Sequence, residues 1–590
     1  MTFMAEKEKN KEEKKEIEIF IDNKKIFCRQ GQTILAAAWE NKIDIPSLCY
    51  HPDLKVKENC RLCIVEIEGK EGFYPACSTL AENGMRVIIN SPQLNQLRKT
   101  NLELIFSQHR EECDDCVWRH DCRLLELKEK IGGEMTRFSD RKKSFPFYQF
   151  GAALIFDTSK CLDCRNCVEV CEKEGIGFLE IKKRNNFFQV LPSKKKSCVL
   201  CGQCLLACPA GAFEEVGEFE ELKKIDNLLR EKDKAIIIQF APSIVAAIGG
   251  EFGLNDWLTA AGKLVGALKR LGAKKVFDIS VGADFVAVEE AKELEKRWRR
   301  GGGILPIFSS FCPSWVKFIE VYFPAFIPYL SPFRSPHLVL GGLIKTFWAK
   351  KEKINPKKIK VISVNPCVAA KDEIRRKGLK INGLKPVDYV LSARELVRLL
   401  SRHKINPATV EPQEPDKPFD ISSGAGLIYE VSGGEIESIA RMIYYHLTDW
   451  DLTGWGMREF KEGEMREAFV EIGERELKMA AVDNLTGAVE LLKKVEKEPG
   501  AYDYLEVMAC PHGCLGGGGQ LLPLSKRIRE QRAKELYKIS EKRQIYRAED
   551  NRIVKKVQRD FISPRLIKKI YHVDYRRQNK LVVKERSNRC

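Results

Sequence analysis

Cysteine spacing constrains this chain more than any other feature of its sequence. Eight of the 21 cysteines fall in two runs with the same spacing, C-x2-C-x2-C-x3-C. The first run is Cys161, Cys164, Cys167 and Cys171, and the second is Cys198, Cys201, Cys204 and Cys208. Soft thiolates at this spacing hold iron–sulfur clusters. The two runs therefore predict a compact segment built around two 4Fe–4S clusters.

These runs follow the pattern of bacterial two-cluster ferredoxins, in which the fourth cysteine of each run binds the cluster of the other. We therefore predict that Cys208 joins the first three cysteines of the first run, and that Cys171 joins the first three of the second. Pro209 follows the second run, whereas Glu172 replaces the usual proline after the first. This difference affects the turn more than the ligation.

Composition limits the class of protein. A chain of 590 residues has material for several domains, and its 44% hydrophobic content is ordinary for a soluble protein. The first residues form a charge run without an apolar core, so no signal peptide is expected. The most apolar stretch, from Ala235, contains Gln239, Pro242 and Ser243, which argues against a membrane span. We expect a cytoplasmic chain whose clustered cysteines bind metal rather than form disulfides.

The formal net charge of +17 raises the question of nucleic-acid binding. Clusters held by four thiolates are anionic, so the loaded protein is less basic than its sequence. No nucleic-acid recognition motif is present. A basic face can instead steer an acidic redox carrier such as ferredoxin.

The N-terminal part predicts a small strand-rich domain. Residues 1–15 are expected to be a disordered lead, and alternating apolar residues from Glu16 predict strands around a short helix. Four cysteines follow in a C-x10-C-x2-C-x13-C spacing, namely Cys49, Cys60, Cys63 and Cys77. Plant-type 2Fe–2S proteins share the tight pair with outlying partners, although their first gap is shorter. A zinc site is the alternative, which the strand-rich context disfavours.

A further set combines one histidine with three cysteines. His109, Cys113, Cys116 and Cys122 have the spacing H-x3-C-x2-C-x5-C. His109 lies about one helical turn before Cys113, so its imidazole and the thiolates can converge. His120 lies equally close, and the residues alone leave the choice of histidine open.

From about Lys234 the pattern changes to apolar strands alternating with helices, which predicts an α/β domain with a mostly parallel sheet. Four more cysteines lie in this part: Cys312 in SSFCPSW, Cys367 in NPCVAAK, and Cys510 and Cys514 in CPHGCLGGGGQ. Cys367 and Cys510 follow apolar runs, where strand ends present loops to ligands. Four consecutive glycines indicate close approach of the backbone to a neighbour. The alternative is a glycine-rich turn with buried free cysteines.

These three segments, in this order, resemble the signature stretches of the iron-only (FeFe) hydrogenases. In that family the four cysteines hold a 4Fe–4S cluster, and one bridges to a diiron centre with CO, cyanide and azadithiolate, which together form the H-cluster. The resemblance implies these roles for Cys312, Cys367, Cys510 and Cys514, with Cys514 as the bridge. It also implies His109, rather than His120, as the histidine ligand. The first cysteine set resembles the 2Fe–2S domain shared with the large iron–sulfur subunit of complex I.

The sets use nineteen of the 21 cysteines. Cys28 and Cys590 remain. We expect the Cys28 side chain to be a small buried hydrophobic group and Cys590 to be a free thiol at the C-terminus. The resemblance implies an α+β multidomain chain. Its expected divisions are a β-grasp 2Fe–2S domain (16–95), a histidine-and-cysteine 4Fe–4S segment (96–140), a two-4Fe–4S ferredoxin-like domain (141–228), an H-cluster catalytic domain (229–522) and a C-terminal helical wrap of the catalytic domain (523–590).

The first signature stretch departs from the family. Phe311 stands where the family has a cysteine that shuttles protons. Glu290, Glu293 and Ser331 match other relay positions, and the two glutamates share one helix face. A solvated charged face is the alternative for them. Loss of a general acid or base costs about 10² to 10⁴ in rate, so slowed turnover is predicted.

The second stretch departs too. Asn365 replaces a methionine, and Ala370 replaces the lysine that contacts a cyanide, so Lys371 could substitute only if the loop shifts register. Tyr429 stands where a phenylalanine is common, and His337 where a glutamine is. Positions around the diiron centre are matched by Pro242, Ser243, Pro336, Met508 and Gln520.

The predicted function is reversible conversion of two protons and two electrons into hydrogen at an H-cluster. One 2Fe–2S and three accessory 4Fe–4S clusters would carry the electrons, and ferredoxin or a similar acidic carrier would exchange them. Maturation proteins would supply the diiron unit. Whether further redox subunits bind is left open by the sequence. The alternatives are a hydrogen-sensing or low-turnover homologue and a complex I-like electron relay without the diiron unit.

Overall fold

The computed structural model describes residues 16–111, 113–114, 116–119, 122–139, 145–184, 187–231, 233–254, 256–300, 303–453 and 465–586. The expected disordered lead, His120 and Cys590 lie outside these residues. No described helix is both long and apolar enough to cross a membrane.

The N-terminal domain is a five-stranded mixed sheet with one helix. Its elements are β1 (Glu16–Ile21), β2 (Lys24–Arg29), α1 (Ile34–Glu40), β3 (Ile64–Ile67), β4 (Lys70–Pro75) and β5 (Arg86–Ile88). The strand order is β2-β1-β5-β3-β4, with β1 and β5 parallel. Ile17, Ile19 and Ile21 alternate into the core, and Thr33 caps α1 by accepting from the Ala36 amide.

Two helices follow, α2 (Pro92–Phe106) and α3 (Arg123–Ile131). Ser91 caps α2 by accepting from the Leu94 amide at 3.2 Å. The buried Arg98 side chain of α2 donates to the carbonyls of Leu62, Ile64 and Ile89, which fastens the helix to the first domain.

The third segment comprises β6 (Phe147–Phe150), β7 (Leu154–Asp157), α4 (Asn166–Lys173), β8 (Leu179–Arg184), β9 (Phe187–Pro192), α5 (Gln203–Leu206) and β10 (Phe213–Glu215). Strands β8 and β9 form a hairpin, and β10-β7-β6 form an antiparallel sheet.

The large domain contains two four-stranded sheets among helices. Its first half comprises α6 (Glu218–Arg230), β11 (Ala235–Phe240), α7 (Pro242–Glu251), α8 (Trp257–Arg270), β12 (Lys275–Asp278), α9 (Ile279–Arg300), β13 (Ile307–Phe308), α10 (Pro313–Tyr322), α11 (Pro336–Leu343) and α12 (Ala349–Lys351). Its second half comprises β14 (Ile359–Val364), α13 (Ala370–Glu373), β15 (Tyr389–Leu391), α14 (Ala393–Arg402), α15 (Gly424–Ile428), α16 (Gly434–Thr448), β16 (Arg466–Ile472), β17 (Arg475–Val482), α17 (Leu485–Lys497) and β18 (Tyr504–Val507).

The first sheet, β12-β11-β14-β15, is parallel, and in the second, β13-β18-β17-β16, the pair β16–β17 is antiparallel and the other pairs are parallel. Parallel strands that end together present their following loops at one edge. The loops after β13, β14 and β18 carry Cys312, Cys367 and Cys510. The two sheets thus position the candidate site.

The C-terminal segment comprises α18 (Lys526–Lys542), α19 (Arg552–Asp560), α20 (Pro564–Tyr571) and β19 (Val583–Arg586). Ala533 and Leu536 of α18 are buried in the core of the large domain. Strand β19 returns to the third segment and pairs antiparallel with β6, from Val583 opposite Phe150 to Arg586 opposite Phe147. The last strand therefore completes the sheet order β10-β7-β6-β19.

Short 3₁₀ turns complete the described elements, at Thr158–Lys160, Pro324–Tyr329, Pro356–Lys358, Pro407–Thr409, Gly513–Gly516 and Ala548–Asp550, with one π-helical turn at Ile344–Trp348.

Candidate active site and cluster sites

One buried cavity collects the four scattered cysteines of the large domain. Cys312, Cys367, Cys510 and Cys514 all line it, together with apolar groups such as Ile279, Pro336 and Met508. Burial raises the pKa of each thiol, and neighbouring thiols add to the shift for Cys367, Cys510 and Cys514. A site that collects four buried sulfurs in apolar walls fits a cationic iron cluster, because a metal converts such thiols to thiolate ligands.

The glycine run is explained by close backbone contacts. A Cβ on Gly517 would lie 2.5 Å from the Pro366 carbonyl oxygen, and a Cβ on Gly518 would lie 2.6 Å from the Cys201 carbonyl oxygen. The same loop accepts a hydrogen bond at the Gly516 carbonyl from Gln203 Nε2, at 2.8 Å. The run is therefore pressed against the ferredoxin-like segment, and Cys510 Sγ lies 3.9 Å from the Cys201 carbonyl oxygen.

The eight cysteines of the ferredoxin-like segment lie close together. Burial raises the pKa of Cys167, and the charges of Cys161, Cys164, Cys208 and Cys204 add to the shift. Burial also raises the pKa of Cys204, and the charges of Cys198, Cys201, Cys171 and Cys208 add to it. Cys167 thus lies near Cys208, and Cys204 near Cys171, while the division of the eight thiols between two clusters stays a prediction.

The N-terminal cysteines form two close pairs. The Cys49 thiol lies 3.5 Å from Cys60 Sγ, and its hydrogen bond lowers the pKa of Cys60 to about 6. Cys63 and Cys77 form the second hydrogen-bonded pair. Each iron of a 2Fe–2S cluster takes two thiolates, so two pairs suit two irons. Among the described residues, no three His, Cys, Asp or Glu side chains converge as a single metal ion requires.

His109 is oriented for metal binding. Its Nδ1 donates to the Lys160 carbonyl oxygen at 3.0 Å, which leaves Nε2 free. Burial lowers the pKa of His109, which favours the neutral imidazole that metals bind. His109 lines one small cavity together with Cys113, Cys116 and Cys122. His109 and its three predicted partners therefore lie together.

Glu290 lies in a buried cluster of acids and hydroxyls. Its carboxylate accepts from Ser331 Oγ at 2.7 Å, from the Tyr429 hydroxyl at 2.9 Å and from the Tyr504 hydroxyl at 2.7 Å. Both tyrosines also contact Glu435, at 3.1 Å and 2.9 Å. Burial and the charge of Glu290 raise the pKa of Glu435. The sequence analysis did not identify Glu435 and Tyr504, because neither residue belongs to a recognisable motif or spacing.

Phe311 separates this cluster from the cavity. Its ring lines the cavity and meets the Tyr429 ring edge-to-face, with centroids 5.4 Å apart. Glu293 instead pairs with Arg297 at 2.8 Å, and its side chain is 28% exposed. Glu290 and Ser331 therefore contact each other, whereas Glu293 is held by Arg297, and the phenyl ring of Phe311 lies between the Tyr429 ring and the cavity.

Lys371 requires a correction. Its ammonium pairs with Glu395 at 2.6 Å and with Glu221 at 3.3 Å, while Ala370 lines the cavity. Burial alone would lower the pKa of Lys371, but these two carboxylates outweigh it and raise the pKa. Glu395 caps α14 through Ser392, so the acid that captures the lysine is fixed by its own helix. The register shift that would bring Lys371 to the site is absent.

The other expected positions divide into two groups. Pro336, Met508, Asn365 and His337 line the cavity. Pro242, Ser243, Tyr429 and Gln520 do not, although Gln520 Nε2 donates to the Cys514 carbonyl at 3.2 Å. The Ser243 amide donates at 3.2 Å to Glu430, a cavity-lining acid that the sequence analysis missed.

Comparison with known proteins identifies three regions. Residues 234–518 match the family "Iron only hydrogenase large subunit, C-terminal domain", residues 14–92 match a "2Fe-2S iron-sulfur cluster binding domain", and residues 160–212 match a "4Fe-4S dicluster domain". The chain is 35% identical over 519 residues to the NADP-reducing hydrogenase subunit HndD of Solidesulfovibrio fructosivorans, an alignment covering 85% of this chain and 88% of that protein.

The chain belongs to the iron-only (FeFe) hydrogenase family. Iron hydrogenase 1 of Clostridium pasteurianum is 31% identical over 511 residues, with the same shares covered. The apo FeFe-hydrogenase HydA1 of Chlamydomonas reinhardtii superposes with a TM-score of 0.54 at 27% identity, over 61% of this chain and 99% of that one. The similar proteins also include the cytosolic Fe–S cluster assembly factor narfl of Danio rerio, which is 30% identical over 54% of this chain and 78% of that protein.

The predicted family and fold class are thereby confirmed. This FeFe-hydrogenase family member is a mixed helix-and-strand multidomain iron–sulfur protein, with 2Fe–2S and 4Fe–4S ferredoxin domains before an H-cluster domain. Its family supports oxidoreductase activity.

Proposed function

We propose that this protein interconverts protons, electrons and hydrogen at an H-cluster held by Cys312, Cys367, Cys510 and Cys514, with Cys514 as the bridge. The observation that carries the proposal is their meeting in one buried cavity, although they lie in three separate loops. The soft donor set and the apolar walls fit the group. When bound, the diiron centre supplies the metal at which hydrogen is split or formed.

We propose one 2Fe–2S and three accessory 4Fe–4S clusters as the electron path. Their ligands would be the sets described above: Cys49, Cys60, Cys63 and Cys77; His109, Cys113, Cys116 and Cys122; Cys161, Cys164, Cys167 and Cys208; Cys171, Cys198, Cys201 and Cys204. We keep the predicted domain boundaries as part of this proposal. They are 16–95, 96–140, 141–228, 229–522 and 523–590.

Contacts between segments support the order of that path. Asn59, next to Cys60, donates to the Asp163 carbonyl at 3.1 Å, and His109 donates to Lys160, next to Cys161. Both N-terminal sets therefore meet the set that contains Cys161. The set that contains Cys201 contacts the glycine loop of the cavity. This arrangement supports a forked path in which two branches join before the active centre.

Electrons would be exchanged with ferredoxin or a similar acidic carrier in the cytoplasm, since the chain is basic. Protons would reach Glu290 through its hydrogen bonds, and Phe311 would then slow their transfer into the cavity. The roles of Glu293 and Ser331 in proton transfer stay part of this proposal. Pro242, Ser243, Pro336, Tyr429, Met508 and Gln520 would shape the pocket directly or through their neighbours.

A second candidate is a family member with little hydrogen turnover. Phe311 and Ala370 favour it, and some relatives are named as iron–sulfur assembly factors. The alignment with the Danio rerio factor covers 54% of this chain, whereas the alignment with HndD covers 85%. A sensory role would fit the same features.

Infrared spectroscopy of protein co-expressed with maturation proteins tests the proposal. Bands from CO and cyanide are expected in the native protein and in Cys28→Ala, whose free thiol lies in β2. They should be absent in Cys514→Ala. A hydrogen-uptake assay with an artificial acceptor then separates turnover from a low-turnover role. Native protein that binds iron but shows no such bands would contradict an H-cluster.

A further inference from the structure

His337 is an imidazole in the wall of the cavity. Its Nε2 lies 2.8 Å from Glu373 Oε2, and the two side chains are only 6% and 10% exposed. Its Nδ1 is buried and has no hydrogen-bond partner among the described residues. The ring therefore has one nitrogen tied to a carboxylate and one left available beside the cavity.

Glu373 connects this cavity to water. Its carboxylate also accepts from Ser335 Oγ at 2.8 Å. The same residue lines a neighbouring cleft of about 760 Å³, together with Lys317, Arg334 and Arg376. Glu373 is thus shared by a buried cavity and a wide, cation-lined cleft.

We propose that His337 and Glu373 carry protons between the active-site cavity and this cleft, in place of the route that Phe311 interrupts. The proposal rests on the proposed hydrogenase function. It assigns a role to a position where the resemblance implies only a glutamine, whose amide does not exchange protons as an acid or base at neutral pH.

The transfer balances without a further reactant. When hydrogen is oxidised, Nδ1 accepts a proton from the cavity, and Nε2 releases its proton to Glu373 Oε2. Glu373 passes that proton to water in the cleft, and transfer of the remaining ring proton from Nδ1 to Nε2 through water restores the starting tautomer. Hydrogen formation runs the same steps in reverse. Each cycle of the relay takes one proton from the cavity and delivers one proton to the cleft. Neither residue is oxidised or reduced.

Several charged or titratable groups face the pair. Arg334, Arg376 and Tyr575 face Glu373, and so do the thiols of Cys312 and Cys367. Glu430 is a further acid in the same cavity wall. Arg334 and Arg376 thus place positive charge beside the Glu373 carboxylate.

The test uses matured His337→Gln and Glu373→Gln enzymes. Each should lose hydrogen turnover by about 10²-fold with iron content and CO and cyanide bands unchanged. His403→Gln is the matched control, because its Nε2 makes the same 2.8 Å contact to a carboxylate, Asp226, outside the cavity lining. Phe311→Cys added to His337→Gln should restore turnover through the Glu290 side.

A second readout does not depend on turnover. Redox-difference infrared spectra of the native enzyme should show a carboxylic-acid band that shifts in D₂O and disappears in Glu373→Gln. Native turnover in a fully loaded His337→Gln enzyme would overturn the relay, and so would absence of that band from the native enzyme, even if the variants fail to load. Absence of CO and cyanide bands from the native protein would instead contradict the proposed function.

Discussion

Phe311 is the residue at which the proposed proton path and the cavity meet. Its ring contacts both the cavity and Tyr429, whose hydroxyl binds Glu290. A phenyl ring neither donates nor accepts a transferable proton. Turnover through Glu290 therefore depends on what replaces the ring.

We predict that Phe311→Cys raises hydrogen turnover by about tenfold or more, because a thiol adds the missing acid and base beside the relay. The measurement is hydrogen evolution per loaded diiron site, normalised by the infrared bands. Phe311→Ala is the control, since it opens the same space without an exchangeable proton. An equal gain in both variants would assign the effect to access rather than to proton transfer.

Asp284 illustrates how burial makes stability depend on pH. It accepts from the Ser423 amide and Asn551 Nδ2, both at 2.8 Å, and from the Ser423 hydroxyl. Burial raises the pKa of Asp284 to about 7 despite these donors. The acid is therefore protonated in the folded chain at pH values where the unfolded chain has lost the proton.

The stability that Asp284 contributes is complete below about pH 4 and is lost as the pH rises to about 7. In Asp284→Asn this loss should vanish, which changes the pH slope of the unfolding free energy by at most about 1.4 kcal/mol per pH unit. Urea unfolding at pH 5 and pH 7 measures it, with the exposed Asp560→Asn as control. An unchanged slope in Asp284→Asn would mean that the folded acid ionises normally.

At the scale of elements, the glycine loop after β18 joins two functional parts. Gly518 touches Cys201 and Gly202, and Gly517 touches Pro366. A Cβ at either position would come within 2.6 Å of these backbone atoms, so the loop or its neighbour would have to shift.

We predict that Gly518→Ala keeps the infrared bands but slows electron transfer to the active centre, because its Cβ would lie 2.6 Å from backbone atoms of the other segment. Reduction of the centre by pre-reduced accessory clusters, followed by rapid-freeze EPR, measures it. Gly250→Ala in α7 is the control, since the nearest atom to its Cβ is the flexible Arg532 guanidinium at 3.5 Å. Electron transfer at the native rate in Gly518→Ala would show that the loop can shift to accommodate the added Cβ.

The elements also show what sequence could and could not predict. Cys367 and Cys510 were placed correctly after β14 and β18, because apolar runs mark buried strands and strand ends carry ligand loops. The contact between Glu290 and Tyr504 spans 214 residues, and no local pattern encodes it. The direction of the Lys371 side chain was left open by the sequence, because it depends on Glu395, an acid that a different helix supplies.

At the scale of the whole molecule, the C-terminal strand holds the large domain to the ferredoxin-like segment. Besides pairing with β6, this end of the chain donates the Leu581 amide to Ser197 Oγ at 2.8 Å. Ser197 precedes Cys198 of a proposed cluster set. The strand therefore lies close to the proposed electron path.

Deletion of residues 582–590 should lower the thermal stability of the ferredoxin-like segment, because it exposes the edge of β6 and removes its ladder of hydrogen bonds. Loss of the 4Fe–4S absorbance on heating measures this effect. A variant with Val582→Thr, which keeps the strand and changes only an exposed side chain, is the control. Equal melting of the deletion and the native chain would show that β19 is dispensable.

The position of β19 also sets an order of events during biosynthesis. Strands β6, β7 and β10 leave the ribosome hundreds of residues before their fourth partner exists. Until β19 has been made, the outer edge of β6 therefore lacks its partner strand, and the sheet β10-β7-β6-β19 is completed only when this late strand arrives.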